Sequence, residues 1–192
     1  MAYETYTTDA LVCGTKHRNT ADGAFLLFTR EAGMLWAEAR SVREERSRQR
    51  YALQTFSRIR VTLIKGKHSW KIGSVEAQKN YYHLAHDKSA RGSVVSIFRL
   101  LRRFVSGEQA DQNFFDQTCT MIEELSRDLP ERQFVSLVVQ VRLLALLGYV
   151  DWKLIPQTLQ SGTVAELASQ ITPETNHKIE TLYVNAVTVS HL

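Results

Sequence analysis

The feature that most constrains the fold is a change in hydrophobic periodicity near residue 80. Before this point, apolar and polar residues alternate in short runs, as in strands that bury one face. In the run 56–65, Ile59, Val61 and Leu63 share one face, while Arg58 and Arg60 lie on the other. After this point, apolar residues recur every three or four positions, which is the period of a helix. The periodicity therefore predicts an α+β protein, with strands followed by helices.

Five strands are predicted in the first part of the chain, over 5–15, 24–29, 34–39, 56–65 and 69–75. Gly33 ends the turn between the second and third strands, where hairpin loops favour glycine. A second turn is predicted over 65–68. Five short strands of this spacing predict a small β-barrel, an architecture that often binds oligonucleotides.

The second part of the chain is predicted to be all helical. Helices are expected over 91–105, 111–127 and 134–147, the last of them ended by Gly148 as a C-cap. Thr163 and Glu166 have the spacing of a capping box, and Pro173 begins a final helix that runs to about residue 189. The predicted domains are therefore a barrel domain, 1–80, and a helical domain, 81–192.

Positive charge is concentrated in one segment of the chain. Residues 40–71 contain ten Lys and Arg residues and two Glu residues, a net charge of +8, although the whole chain carries only +4. The remaining residues therefore have a net charge of −4. Such an asymmetry is typical of a protein that binds a polyanion, whereas the alternative is a solvated charged face without a ligand.

No catalytic or metal-binding motif is found in the sequence. The two cysteines, Cys13 and Cys119, are too few for a four-cysteine zinc site and are predicted to be buried. We therefore expect no catalytic residue, no metal and no cofactor, and the protein is not expected to be an enzyme. The apolar stretch 134–150 is interrupted by Gln140 and Arg142, so no membrane association is expected, and no secretory leader is predicted.

Several segments match a known family in order. The segments 8–12, 27–33, 39–43, 47–48 and 52–56 read TDALV, LFTREAG, ARSVR, SR and ALQTF. Together they resemble the N-terminal domain of RecO, the family of bacterial recombination mediators. The segment 142–149, RLLALLGY, and the start of the final helix at Thr172 and Pro173 resemble the helical part of the same family.

The resemblance implies a five-stranded OB-fold barrel followed by an all-helical domain. It also implies a cytoplasmic, nucleoid-associated protein that binds single- and double-stranded DNA and anneals complementary strands. The implied partners are RecR and the acidic C-terminal tail of single-strand DNA-binding protein, with RecA loading as the outcome. The family often has glycine where Ser41 stands, and many members carry a four-cysteine zinc module. The interval 150–172 contains no cysteine, so the chain resembles a short form without zinc.

The basic segment supplies the predicted DNA site, because Lys and Arg side chains bind phosphates and release counterions. Tyr51 is the best candidate for stacking on a base, whereas Trp36 and Trp70 fit a core position better. The predicted DNA-binding residues are Arg40, Arg43, Arg46, Arg48, Arg50, Tyr51, Arg58, Arg60, Lys65, Lys67 and Lys71. A weak sequence preference is expected, since charge dominates this set.

Two further groups of arginines in the helical part have predicted roles. Arg99, Arg102 and Arg103 are expected either to extend the DNA surface or to be solvated. Arg132 and Arg142 flank the apolar helix 134–147 and are expected either to hold the acidic partner tail or to be ordinary surface arginines.

Two other functions remain open at this point. The same charge and barrel would serve an RNA-binding OB-fold protein, or a protein adaptor whose basic segment docks an acidic partner tail.

Overall fold

The computed structural model describes residues 4–18, 20–67 and 69–189. It divides into two compact units, the first formed by Met1–Leu84 with Val105–Asp116, the second by Ala85–Phe104 with Gln117–Leu192. The segment 105–116 therefore groups with the barrel, although the sequence-based limits place it in the helical domain. His68, in the predicted turn 65–68, lies outside the described residues.

The first unit contains a closed five-stranded barrel. Its strands are β1 (Thr5–His17), β2 (Gly23–Thr29), β3 (Gly33–Ala39), β4 (Ser57–Lys65) and β5 (Trp70–Asn80). The barrel order is β1-β2-β3-β5-β4, with β3 and β5 parallel and the other pairs antiparallel. The long strand β1 closes the barrel, because its first half pairs with β4 and its second half with β2. The α+β fold class and the OB-fold barrel are confirmed.

The barrel core follows the predicted alternation. Ile59, Val61 and Leu63 of β4 are fully buried and pack in one cluster with Val12 and Leu27. Each fully buried aliphatic side chain of this kind stabilises the fold by about 1.5–3 kcal/mol. The barrel therefore has a core of its own.

Eight α-helices are found in the described part of the chain. They are α1 (Gln49–Ala52), α2 (Tyr81–Leu84), α3 (Lys88–Phe104), α4 (Gln112–Leu125), α5 (Arg132–Leu146), α6 (Gln157–Gln160), α7 (Val164–Leu167) and α8 (Pro173–Val189). The capping box before α7 is present: the Glu166 amide donates to Thr163 Oγ1, and the Thr163 amide donates to a Glu166 carboxylate oxygen. Gly148 follows α5 at a φ of +82°, as expected for a C-cap glycine.

The second unit is organised around α5. Val138, Val141 and Leu144 of this helix are fully buried, and α5 packs against α3, α7 and α8. The apolar residues of α5 lie on most sides of the helix and not in one stripe, which is typical of a central helix that is buried by its neighbours. Within the described residues, no helix combines the length and the apolar character needed to cross a membrane.

Candidate nucleic-acid interface

The connection between β3 and β4, residues 40–56, contains the cluster of five arginines and is called the basic loop below. Val42, Ala52 and Leu53 of this loop are buried in the barrel core. Burial of three apolar side chains fixes the loop against the barrel, because exposing them would lose hydrophobic free energy. The polar residues between these anchors are consequently directed towards solvent.

Hydrogen bonds also fix the start of the basic loop. The Ser41 amide donates to Asp22 Oδ1 at 2.9 Å, and the Arg43 amide donates to the Ala21 carbonyl at 3.0 Å. Ser41 has a φ of +51°, a conformation that favours glycine. The left-handed backbone explains why glycine would suit this position, and the bond to Asp22 comes from the backbone amide, so glycine would keep it.

All five arginines of the basic loop are exposed: Arg40, Arg43, Arg46, Arg48 and Arg50. Tyr51 lies beside them with 72% of its surface exposed. The two acidic residues of the loop, Glu44 and Glu45, are exposed as well. The loop therefore presents five guanidinium groups and one aromatic ring to solvent from an anchored backbone.

Two depressions in the barrel surface bring parts of the basic loop next to the strands. In the first, Arg43 and Arg50 lie with Lys16 and His17 of β1 around a space of about 350 Å³. In the second, Arg40 lies with Lys71 of β5 around about 380 Å³. The structure thus places Arg40 and Lys71, which are far apart in sequence, at one surface.

A third depression, of about 500 Å³, is centred on Trp36 and is called the tryptophan depression. Lys16, Arg18, Glu38, Trp70 and Glu108 also line it. Trp36 is 38% exposed, and the Lys16 ammonium lies 4.5 Å from the centre of its ring. Arg18 forms an ion pair with Glu38 at 2.6 Å. The surface of strands 2 and 3 and the loops beside it are the usual ligand-binding region of OB-folds.

Sequence reasoning misplaced Trp36 and missed Lys16 and Arg18. Trp36 fitted a core position by its place in an alternating strand, yet its side chain faces outward, whereas Trp70 is buried at 8% exposure as expected. The signal that could have identified the two cations is the run Lys16-His17-Arg18, which leads into the first loop of the barrel. This run lies outside residues 40–71, so the concentration of charge in that segment did not identify it.

Glu108 reaches the tryptophan depression from the segment that follows α3. Its Oε1 accepts a hydrogen bond from Trp70 Nε1 at 3.0 Å, and the neighbouring Gly107 carbonyl accepts one from the Met34 amide at 3.0 Å. Gly33 permits this approach: a Cβ there would lie 2.5 Å from the Gln109 carbonyl oxygen. Burial, and next the Glu108 carboxylate, raise the pKa of Tyr6 to about 12.

The predicted cations on β4 have partners within the barrel. Arg58 is partly buried and pairs with Asp9 at 3.2 Å, and Arg60 lies 3.6 Å from the same carboxylate. Arg58 therefore stabilises the contact between β1 and β4, which makes it a weaker phosphate ligand than predicted. Lys65 lies 3.7 Å from Glu4 and 5.2 Å from the centre of the Trp70 ring, and Lys67 is exposed.

The second unit contains the predicted extension of the DNA surface. Arg99, Arg102 and Arg103 of α3 are all exposed. Arg103 donates to the Val187 carbonyl at 2.6 Å and lies 5.4 Å from the centre of the Phe104 ring. Its position is therefore fixed within the helical unit, and a role of these three arginines in DNA binding stays a prediction.

The expectation that Arg132 and Arg142 hold an acidic partner tail or are ordinary surface arginines is not met. Both side chains are buried, at 9% and 4% exposure. Arg132 donates to the carbonyls of Leu125 and Arg127. Arg142 donates to three carbonyls in the segment 159–162, and burial lowers the pKa of its guanidinium. Because their donors are bonded to backbone oxygens, both arginines hold loops of the helical unit and do not form an open anion site.

Comparison with known proteins agrees with the resemblance noted in the sequence. Residues 1–81 match the family described as "Recombination protein O N terminal". The chain is 29% identical over 147 residues to the DNA repair protein RecO of Desulforudis audaxviator, covering 75% of this chain and 57% of that protein. It is 32% identical over 96 residues to DNA repair protein RecO of Desulfitobacterium hafniense, which covers 50% of this chain and 35% of that protein.

The chain thus matches between about a third and just over half of the length of these relatives. The region that matches the family model includes all five strands and the complete basic loop. Residues 1–81 of the chain thus match the N-terminal domain of that family, and the longer match is to RecO proteins of DNA repair.

Proposed function

We propose that this protein is a recombination mediator in DNA repair that binds single- and double-stranded DNA and anneals complementary strands. One observation carries the proposal: five exposed arginines stand on an anchored loop of an OB-fold barrel, beside depressions lined by further cations. Cations on an anchored backbone bind phosphates at a low cost in conformational entropy. The family that residues 1–81 match and the names of the similar proteins support a role in DNA repair.

The same surface accounts for binding of both DNA forms. Phosphate contacts are independent of sequence and strandedness, so duplex DNA binds through the arginines alone. Single strands gain additional affinity by stacking unpaired bases on Tyr51 or Trp36, which are exposed. Annealing follows because cations that neutralise two backbones reduce the repulsion between the strands.

The proposed partners are RecR, the acidic tail of single-strand DNA-binding protein, and RecA, which is loaded as the outcome. An acidic and apolar tail needs an apolar patch with a cation at its edge. In the helical unit, the exposed Arg103 and Tyr149 both lie against the buried ring of Phe104, at 5.4 and 4.9 Å, and offer a cation beside an aromatic surface. This patch replaces Arg132 and Arg142 as the proposed tail site.

The test is the salt dependence of DNA binding, measured by fluorescence anisotropy with labelled single-stranded and duplex DNA. If about six cations contact phosphates, log K falls with log salt at a slope of about −5, which is a loss of about 10³-fold between about 50 and 200 mM salt. The R46E/R48E/R50E variant should bind at least about 100-fold more weakly and show a slope of about −2 to −3.

The matched control reverses three exposed cations of the helical unit, R127E/K153E/K178E, with the same change in net charge. It should retain most of the affinity, because these residues lie outside the proposed surface. Equal losses in both variants would indicate a non-specific effect of net charge, and no binding at low salt would contradict the proposal. RNA of the same sequence and an annealing assay with complementary DNA strands separate a DNA mediator from an RNA-binding protein.

A further inference from the structure

The tryptophan depression differs in charge from the first depression of the basic loop, whereas the second depression shares Glu38 with it. Arg43, Arg50 and Lys16 line the first depression without a carboxylate. The tryptophan depression instead combines Lys16 and Arg18 with the carboxylates of Glu38 and Glu108. A phosphate is attracted to the first environment and is repelled by carboxylates in the second. A DNA strand that crosses this surface would therefore place its backbone on the arginines and a base in the tryptophan depression.

The depression is large enough to admit a base. The depression has a volume of about 500 Å³, within the range of small-ligand sites. The exposed indole of Trp36 offers a ring face for stacking, on which Lys16 now lies at 4.5 Å. A lysine has a long flexible stem, so its ammonium can move from the ring to a phosphate when a base stacks.

The two carboxylates differ in how far their charge is already compensated. Glu38 forms an ion pair with Arg18 at 2.6 Å, which neutralises much of its charge. Glu108 accepts one hydrogen bond from the uncharged indole of Trp70, at 3.0 Å. That bond orients the carboxylate and leaves it negative, and a carboxylate has about four acceptor sites. Glu108 is therefore the stronger acceptor in the depression.

The chemistry of base edges selects one base for such an acceptor. Guanine carries two adjacent donors, N1–H and the N2 amino group, on its Watson–Crick edge, and they match the two oxygens of a carboxylate. Adenine and cytosine place an acceptor beside their single amino group, and thymine flanks its single donor with two acceptors. A carboxylate therefore accepts the most hydrogen bonds from guanine. Each of the other bases places an acceptor atom beside its donor, and the carboxylate repels that acceptor.

We propose that the tryptophan depression binds an unpaired guanine, stacked on Trp36 and read on its Watson–Crick edge by Glu108. The inference rests on the proposed DNA binding and adds a preference among bases to it. Paired guanines have this edge occupied, so the preference applies to single strands only.

The test compares single strands of about 12 nucleotides with the repeats TTG, TTA, TTC and TTT, measured by anisotropy at one salt concentration. The wild-type chain should bind the TTG strand about tenfold more tightly than the TTT strand. In E108Q the ratio should fall to about twofold or less, although overall affinity can rise because a negative charge is removed. The Gln side chain still accepts the Trp70 hydrogen bond, so the fold is retained.

The matched control is E44Q, which removes the same charge from an exposed position of the basic loop. It should retain the tenfold ratio. Equal binding of the four strands by the wild-type chain, or an unchanged ratio in E108Q, would overturn the assignment of guanine to Glu108 while DNA binding itself stands. Absence of binding to every strand would instead overturn the proposed function, and this inference with it.

Discussion

The two units use arginine in opposite ways. In the basic loop, Arg46, Arg48 and Arg50 are exposed, while the apolar residues Val42, Ala52 and Leu53 on either side of them are buried. In the helical unit, Arg132 and Arg142 are buried and donate to backbone carbonyls. The difference shows that the tertiary surroundings of an arginine decide its role. An arginine in a charged loop stays hydrated, whereas one inside an apolar helix must find internal acceptors.

The largest expected effect is on stability, when one of the two buried arginines is replaced. Replacing Arg142 by Met removes the donors of three carbonyls in the segment 159–162 and should lower the free energy of unfolding by about 3–5 kcal/mol. Urea denaturation measures the loss, and R46M, at an exposed position, is the control. If R142M unfolds at the same urea concentration as the wild type, the structural role of Arg142 is refuted.

A second large effect is expected at Gly33, which has a φ of +67° and lies against the Gln109 backbone. Alanine there adds the cost of a left-handed backbone, about 1–2 kcal/mol, and a Cβ that displaces the 107–109 segment. G33A should therefore lower stability by about 3 kcal/mol in denaturant unfolding. Gly92, on the exposed side of α3 with open space around it, gives a control at which alanine should stabilise the helix.

Tyr51 sharpens the comparison within the basic loop, because it separates stacking from charge. Y51A should weaken single-stranded DNA binding about fivefold and leave duplex binding nearly unchanged, since only unpaired bases stack on the ring. The measurement is anisotropy with both DNA forms at equal salt. A similar loss on duplex DNA would mean that Tyr51 supports the loop and does not stack on bases.

A smaller and opposite effect is expected at Ser41. Because its φ is +51°, S41G should relieve backbone strain and raise the free energy of unfolding by about 0.5–1 kcal/mol. Loss of stability in urea would show that the Ser41 side chain makes a favourable contribution that outweighs the strain.

The smallest expected effect concerns an exposed ion pair of the barrel unit. Arg30 donates to both oxygens of Asp116, at 2.9 and 2.8 Å, which holds the pKa of that carboxyl below its ordinary value. A lowered folded pKa stabilises the protein above the unfolded pKa of about 3.9, and this contribution is lost as the pH falls through the folded value. D116N should therefore lower stability slightly at neutral pH and leave it unchanged below the folded pKa, so that stability measured by urea denaturation falls less steeply with acid than in the wild type.

Much of the barrel was predictable because strand alternation is a local signal. The run around Ile59 and Val61 identified β4 and its buried face, and the turn at Gly33 was correctly placed. The core position expected for Trp36 was wrong, because alternation separates the two faces of a strand and does not by itself show which face is buried. Glu108 was not predicted at all, since its contact with Trp70 joins residues that are 38 positions apart.

The sequence by itself determined the order of strands and helices, the α+β class and the concentration of positive charge in one segment. These properties depend on side chains close together in the chain, and periodicity and composition report them directly. Only the tertiary structure decided which arginines are exposed, and that Lys16, Trp36 and Glu108 share one depression. The reason is that barrel closure and loop anchoring bring distant residues together, and burial then depends on neighbours that no local pattern specifies.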